Sequence, residues 1–170
     1  MRNKANLHNA CEFTYGLPDT PLGDLTLSFS AHGLTVLTYG RGETVVKAPS
    51  PPAAMAAWLE AAKKELVHYF HGRPTDFASL PLDPQGTPFQ LRVWQELRKI
   101  PWGAAITYKE LAARVGSPRG FRAVGQANGA NPIPLIIPCH RVINADGSLG
   151  GYSSGLERKR WLLRHEGLNF

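Results

Sequence analysis

From residue 23 the polar and apolar positions alternate. In GDLTLSFSAHGLTVLTYG (23–40), Leu25, Leu27 and Phe29 share one face, Ala31-His32-Gly33 supplies a turn, and Leu34 and Val36 resume the alternation. Period two on either side of a turn predicts a β-hairpin. The period changes over SPPAAMAAWLEAAKKELVHYFHG (50–72), where Met55, Trp58, Leu59, Ala62, Leu66, Tyr69 and Phe70 fit one helical face and Gly72 supplies the stop. LPLDPQGTP (80–88) then packs three prolines and a glycine into nine residues and reads as a linker.

Beyond it the helix signals are sharper. Thr87-Pro88-Phe89-Gln90 is a capping box with proline at the first helical position, and Phe89, Val93, Leu97 and Ile100 keep helical spacing until Pro101 and Gly103. Thr107-Tyr108-Lys109-Glu110 is a second capping box, opening a helix through Leu111, Ala112 and Val115. Gly116-Ser117-Pro118-Arg119-Gly120 breaks it, and a short helix over 121–128 follows. Helix, tight turn, helix, with Arg119 and Arg122 at the start of the second helix, fits a helix-turn-helix. NPIPLIIP (131–138) carries three prolines and is expected to be irregular and buried. After a turn at 144–147 and a Gly/Ser loop at 150–155, Ser154-Gly155-Leu156-Glu157 is read as the cap of a last helix through Trp161, Leu162 and Leu163, ended by Gly167. The fold class expected is an α/β N-terminal domain over 1–80 (hairpin or sheet plus helix), a linker over 81–87, and a mostly α-helical C-terminal domain over 88–170 containing the helix-turn-helix.

Charge sharpens this division. The chain of 170 residues has a net charge of +6. Residues 88–170 hold 12 Lys/Arg against 5 Asp/Glu, and residues 1–87 hold 7 against 8, so the basic excess lies wholly in the second half. A polyanionic partner, most commonly nucleic acid, is one explanation, and solubility is the other. No run of 18 apolar residues predicts a membrane span, and the N-terminus lacks the apolar core of a secretory signal, so a cytoplasmic location is expected. Two cysteines, Cys11 and Cys139, make no disulfide framework, and no CxxC or HExxH spacing points to zinc.

Cys139 lies in PLIIPCHRVI (134–143), between a proline-bound apolar run and His140-Arg141. A buried structural thiol is the plain reading. Neighbouring positive charge would instead lower its pKa and make a strong, soft nucleophile. Side chains of adjacent residues in extended chain point apart, so His140 reads as a base acting through a bridging water, or as a surface histidine. Glu166 sits in the last turn of the final helix, where the helix dipole disfavours negative charge. Pairing with His140 would explain it, and simple exposure would also allow it. Arg122 can contact phosphate, or fill the gap left by an extruded base. Tyr108 can donate to a base or a phosphate, or be a half-buried helix residue. Tyr152 and Ser153 can line a pocket.

Three stretches together, GTPFQLRVWQELRKIPWGAAITYKELA (86–112), RAVGQANGANPIPLIIPCHRVI (122–143) and GGYSSGLERKRWLLRHEG (150–167), resemble the O6-alkylguanine-DNA alkyltransferases, or methylated-DNA–protein-cysteine methyltransferases. TPLGDLTLSFSAHGL (20–34) resembles that family's N-terminal domain more loosely. The resemblance implies DNA repair by direct reversal: the duplex is bound through its minor groove, the damaged guanine is flipped out, and its O6-alkyl group moves irreversibly to Cys139, once per molecule. O4-alkylthymine is a further candidate substrate. By the same resemblance His140 takes the thiol proton through water with Glu166 orienting it, Tyr108 donates to the leaving guanine and rotates its 3′ phosphate, and Asn131 braces the turn before the cysteine. Arg122 replaces the flipped nucleotide; Arg119, Ala123 and Gln126 join it on the DNA; Tyr152, Ser153, Ser154 and Val142 line the substrate pocket. No cofactor and no membrane partner are implied, and a monomer is expected.

Two departures carry expectations. Ser154 stands where many relatives have glycine, and its hydroxymethyl group would disfavour benzyl over methyl adducts. Some relatives hold zinc in the N-terminal domain; Cys11 lies near one such position, but Ser30 and Thr35 occupy two others, so no zinc is expected. Three rival readings stand beside the transferase. A non-catalytic damage-binding module is opposed by Cys139, because relatives of that kind lack the cysteine. A helix-turn-helix regulator explains 107–128 but not Cys139, His140 and Glu166. A cysteine hydrolase is made awkward by the adjacency of nucleophile and base.

Overall fold

A computed structural model describes residues 13–40 and 52–170. The chain divides into two compact units with the boundary between Gln85 and Gly86. The N-terminal unit is a three-stranded antiparallel sheet, β1 (Phe13–Thr20), β2 (Gly23–Ser30) and β3 (Gly33–Tyr39), with β2 central, together with helix α1 (Ala53–Phe70). The predicted hairpin is β2–β3, in register through Leu27 opposite Leu37; β1 is an additional strand, pairing Phe13 with Phe29. Its sequence, FTYGLPDT, is interrupted by glycine and proline and lacks the alternation that marks β2. The buried stripe of α1 is Met55, Leu59, Ala62, Leu66 and Tyr69, the 3–4 spacing of a helix with one apolar face.

The segment expected as a linker is partly built into this sheet. Leu34 donates to the Pro81 carbonyl and Asp83 donates back to the Leu34 carbonyl, at 2.9 and 2.8 Å. Gly33 makes room for this: a Cβ there would lie 2.5 Å from the Pro81 oxygen. The prolines therefore shape a pairing segment over 81–83, not a free tether.

In the C-terminal unit both predicted capping boxes form. Thr87 caps α2 (Pro88–Leu97) with Gln90, and Thr107 caps α3 (Tyr108–Arg114) with Glu110. After the turn over 115–120 comes α4 (Phe121–Gly129), completing the helix-turn-helix. Trp94 of α2 donates its indole N–H to the Ala127 carbonyl of α4 at 2.9 Å, and Val93, Trp94, Leu97, Leu111, Val124 and Ile133 fill the core between them.

Two features escape any pattern reading. Ile106–Thr107 (β4) and Val142–Ile143 (β5) form a two-residue parallel pair, so Tyr108, the first residue of α3, stands beside the chain that has just left the cysteine. Cys139–Arg141 is a 3-10 turn and not extended chain, the geometry on which the Cys139–His140 separation was expected to rest. The last helix, α5 (Leu156–His165), is preceded by Gly155 at φ +98°, with no side-chain cap; Ser154 contributes only its carbonyl, which accepts from Arg158. The capping box expected at Ser154 is thus absent, because the left-handed glycine turns the chain before the serine can reach the helix. The stop at Gly167 is a Schellman motif, with Gly167 N–H on Arg164 and Leu168 N–H on Leu163.

Candidate active site

The turn that carries the cysteine is held from three sides. Asn131 donates to the Ile137 carbonyl at 2.7 Å and accepts from the Ile133 N–H at 3.0 Å, closing the loop between α4 and the cysteine. Within that loop Leu135 is held at φ +75° while fully buried, a strained conformation for a branched side chain that the surrounding bonds enforce. Asn128, on the buried side of α4, donates to the Cys139 carbonyl at 3.3 Å.

Behind the turn lies a buried ionic cluster. The Glu166 carboxylate takes His140 Nε2 at 2.8 Å and the Arg141 guanidinium at 2.8 and 3.0 Å, and Arg141 also donates to the Ile100 carbonyl at 2.6 Å. Burial alone would push the Glu166 carboxyl up, but His140 and Arg141 outweigh it and hold it down to about 2. The carboxylate is therefore ionised and can only accept. His140 must donate from Nε2, which leaves Nδ1 as the lone-pair nitrogen. Burial keeps the ring below the usual histidine range despite Glu166, so it is neutral near pH 7 with Nδ1 poised as an acceptor. Nδ1 is buried and has no hydrogen-bond partner among the described residues. The anti-dipole position of Glu166 thus has its compensating partners, and Arg141 is one that sequence reasoning did not assign.

Cys139 is almost wholly buried, and its thiol is not acidic. Burial pushes it up to about 11, against the opposing influence of Asn131, Lys159 and Tyr152. The expected lowering by Arg141 fails because that charge is spent on Glu166. The cation that does act on the thiol is Lys159, a residue with no expected role. Its side chain is fully buried on α5, and its ammonium donates to the Val142 carbonyl at 2.6 Å, to the Gly151 carbonyl at 3.3 Å and to the Leu149 carbonyl. Burial lowers it to about 8, with the Cys139 thiolate pulling the other way. The signal for it lies in the spacing: Lys159, Leu162, Leu163 and Glu166 follow the i, i+3, i+4, i+7 pattern of a buried face, so two charges occupy apolar-face positions.

Cys139 opens onto a cavity of about 320 Å³, lined also by Tyr108, Asn128, Gly129, Tyr152 and Ser153. Tyr108 lies with its ring 3.1 Å from where a Cβ on Gly150 would be, closer than a Cβ ordinarily sits, so Gly150, at φ +67°, leaves the ring its room. Burial, reinforced by the Cys139 charge, raises its phenol, so it stays a proton donor near neutrality. Two expected pocket residues lie elsewhere. Val142 is fully buried in β5, with its carbonyl on Lys159, and Ser154 is not part of the cavity wall. On the outer face, Arg119, Arg122, Ala123 and Gln126 are all exposed.

The described residues contain no cluster of three or more His, Cys, Asp or Glu able to hold a metal. Cys11 lies outside the described residues, while the Ser30 and Thr35 hydroxyls are bound to Asp83 and to the Ser28 carbonyl. Among the described residues no helix is long and apolar enough to cross a membrane.

Comparison with known proteins matches this arrangement along both units. Residues 88–168 match the family model described as 6-O-methylguanine DNA methyltransferase, DNA binding domain, and residues 13–84 match the corresponding ribonuclease-like domain. A methylated-DNA–protein-cysteine methyltransferase of Methanosarcina barkeri is 43% identical over 152 residues, covering 89% of this chain and 96% of that protein. The chain belongs to the methylated-DNA–protein-cysteine methyltransferase family. A second methyltransferase of that name, from Mycobacterium tuberculosis, is 45% identical over 157 residues, covering 89% of this chain and 91% of its own. The crystal structure of Mycobacterium tuberculosis OGT in complex with DNA superposes with a TM-score of 0.77 at 43% identity, over 90% of this chain and 91% of that one. An O6-methylguanine DNA methyltransferase from Methanococcus jannaschii gives 0.65 at 31% identity, over 92% and 95%. Every side chain described around the cysteine falls within the stretch matched to the methyltransferase DNA-binding domain.

Proposed function

We propose that this protein repairs DNA by moving the alkyl group of O6-alkylguanine, and on the same chemistry O4-alkylthymine, to Cys139 in a single irreversible turnover. The observation that carries the reading is a buried cysteine opening on a base-sized cavity directly behind an exposed, basic helix-turn-helix. The sulfur attacks the alkyl carbon, an S–C bond forms as the C–O bond breaks, and the electron pair leaves on guanine. His140 Nδ1 takes the thiol proton through a bridging water while Glu166 fixes the ring; Tyr108 supplies a proton or hydrogen bond to the departing base. A thiol held near 11 favours proton removal in concert with approach of the substrate over a standing thiolate. Asn131 positions the cysteine, and Tyr152 and Ser153 line the pocket.

The base reaches the cavity by flipping, and Arg122 fills the vacated stack. Apart from Phe121, Arg122 and Gln126, the exposed residues of α4 are small, Ala123 and Gly129, which suits close approach in the minor groove. Arg119 and Gln126 add backbone contacts, so binding tolerates sequence and weakens with salt. The protein acts as a cytoplasmic monomer. The domain division that serves this reading is an N-terminal domain to about residue 80, a connecting stretch, and a DNA-binding catalytic domain from 88.

Incubation with a duplex bearing O6-methylguanine, followed by peptide mass measurement, tests the reading. The expected result is a methyl in place of the Cys139 thiol hydrogen and an unmodified guanine, with loss of all transfer in Cys139→Ala while DNA binding persists. Tight DNA binding by the unmodified protein without an adduct would instead support a damage-binding module.

A further inference from the structure

A second, larger cavity of about 560 Å³ opens beside the cysteine pocket and shares Tyr108 and Gly125 with it. Its other walls include Lys109, Arg119, Phe121 and Asn144. Phe121 is half exposed, one of three large apolar side chains so exposed among the described residues, and the two others, Val67 and Leu156, are aliphatic. It is the first residue of α4, immediately before Arg122. An exposed aromatic ring costs solvation and needs a reason when it stands among cations. Lys109, Arg114, Arg119 and Arg122 are all exposed around the same helix pair, with Glu110, already bonded to Thr107, the one carboxylate on α3 and none on α4. Positive charge with one flat apolar face is the combination that holds an unstacked nucleotide, charge for its phosphate and ring for its base.

We propose that Phe121 is a stacking platform for the DNA strand, taking the exposed face of the nucleotide next to the one that enters the cysteine pocket, with the outer cavity holding that neighbour's sugar and phosphate. This rests on the transferase reading and adds a specificity residue to it. Extruding a base exposes the face of its neighbour in the stack. Arg122 offers a charged plane for the gap, and Phe121, one residue earlier at the end of the same helix, covers the strand edge beside it. The shared wall of Tyr108 and Gly125 makes the two cavities neighbours along the path of the strand.

The test compares alkyl transfer from O6-methylguanine in duplex DNA with transfer from the free base, in wild type, Phe121→Ala, Phe121→Leu and Phe121→Trp. Stacking on one base is worth roughly tenfold or more in binding, so the ratio of duplex to free-base transfer falls about tenfold in Phe121→Ala, stays low in Phe121→Leu and is restored in Phe121→Trp. A 2-aminopurine placed beside the lesion reports the same contact: its fluorescence is quenched by wild type and less by Phe121→Ala. An unchanged ratio, an equal loss on both substrates, or full rescue by leucine overturns the platform. Wild type that transfers from neither substrate overturns the transferase reading itself, a result distinguishable from failure of the platform alone.

Discussion

The two units bury polar groups in different ways. In the N-terminal sheet the buried polar side chains are hydroxyls, Thr14, Thr26, Ser28, Ser30 and Thr35. They satisfy one another or nearby carbonyls: Thr14 with Ser28, Thr35 with the Ser28 carbonyl, Thr26 with Gly40. In the C-terminal unit the buried polar side chains are Asn128, Asn131, His140, Arg141, Lys159 and Glu166, amides and ionisable groups gathered around one cysteine. A hydroxyl is cheap to bury once it has one bond, whereas a buried charge is costly unless paired and fully hydrogen-bonded. The first unit therefore reads as scaffold. The second concentrates its costly groups where proton position and charge decide a reaction.

That contrast sets an order of expected effects. Glu166→Gln should do most, because it leaves Arg141 and His140 buried with half their partner; breaking a buried pair costs about 3–5 kcal/mol, read by chemical denaturation. The pH dependence has a definite sign. With its folded pKa lowered to about 2, Glu166 contributes stability that is complete above the ordinary carboxylate value and is lost as pH falls through that low value. Wild type should lose stability towards pH 2 more steeply than Glu166→Gln.

Lys159→Met comes next. It leaves the Val142, Leu149 and Gly151 carbonyls without their donor, at about 1–3 kcal/mol. Because the folded pKa of Lys159 is lowered to about 8, the unfolded chain holds this proton more firmly from there up to the ordinary lysine range, so Lys159 contributes a rise of stability with pH across that window, while Cys139, raised to about 11, contributes a fall in its upper part. Denaturation curves of Lys159→Met should lack that rise. The smallest effect belongs to the sheet. Thr35→Val removes one neutral hydrogen bond and should cost about 0.5–1.5 kcal/mol with no pH dependence. A pH-dependent or larger loss there would break the comparison between the units.

Much of this was legible in advance because local chemistry specifies it. Thr87 and Thr107 announce their helices through capping boxes that need only four residues, and the β2–β3 hairpin and the α1 stripe follow from period. What was hidden is non-local. β1 lacks alternation and is a strand only because β2 offers it an edge. The β4–β5 pair joins residues 106–107 to 142–143, two residues each, far too short for a pattern. Ser154 failed as a cap because Gly155 redirects the chain before α5.

The sequence by itself determined the helices, the basic half, the position of the single reactive-looking thiol and, through the PCHRV neighbourhood, the family it resembles. Only the tertiary structure decided how that thiol is controlled. Arg141 stands two residues from Cys139 yet gives its charge to Glu166, and Lys159, twenty residues on, is the cation the sulfur feels. Electrostatic influence depends on distance through a buried medium and on which charges are already paired. Neither quantity exists until the chain has folded.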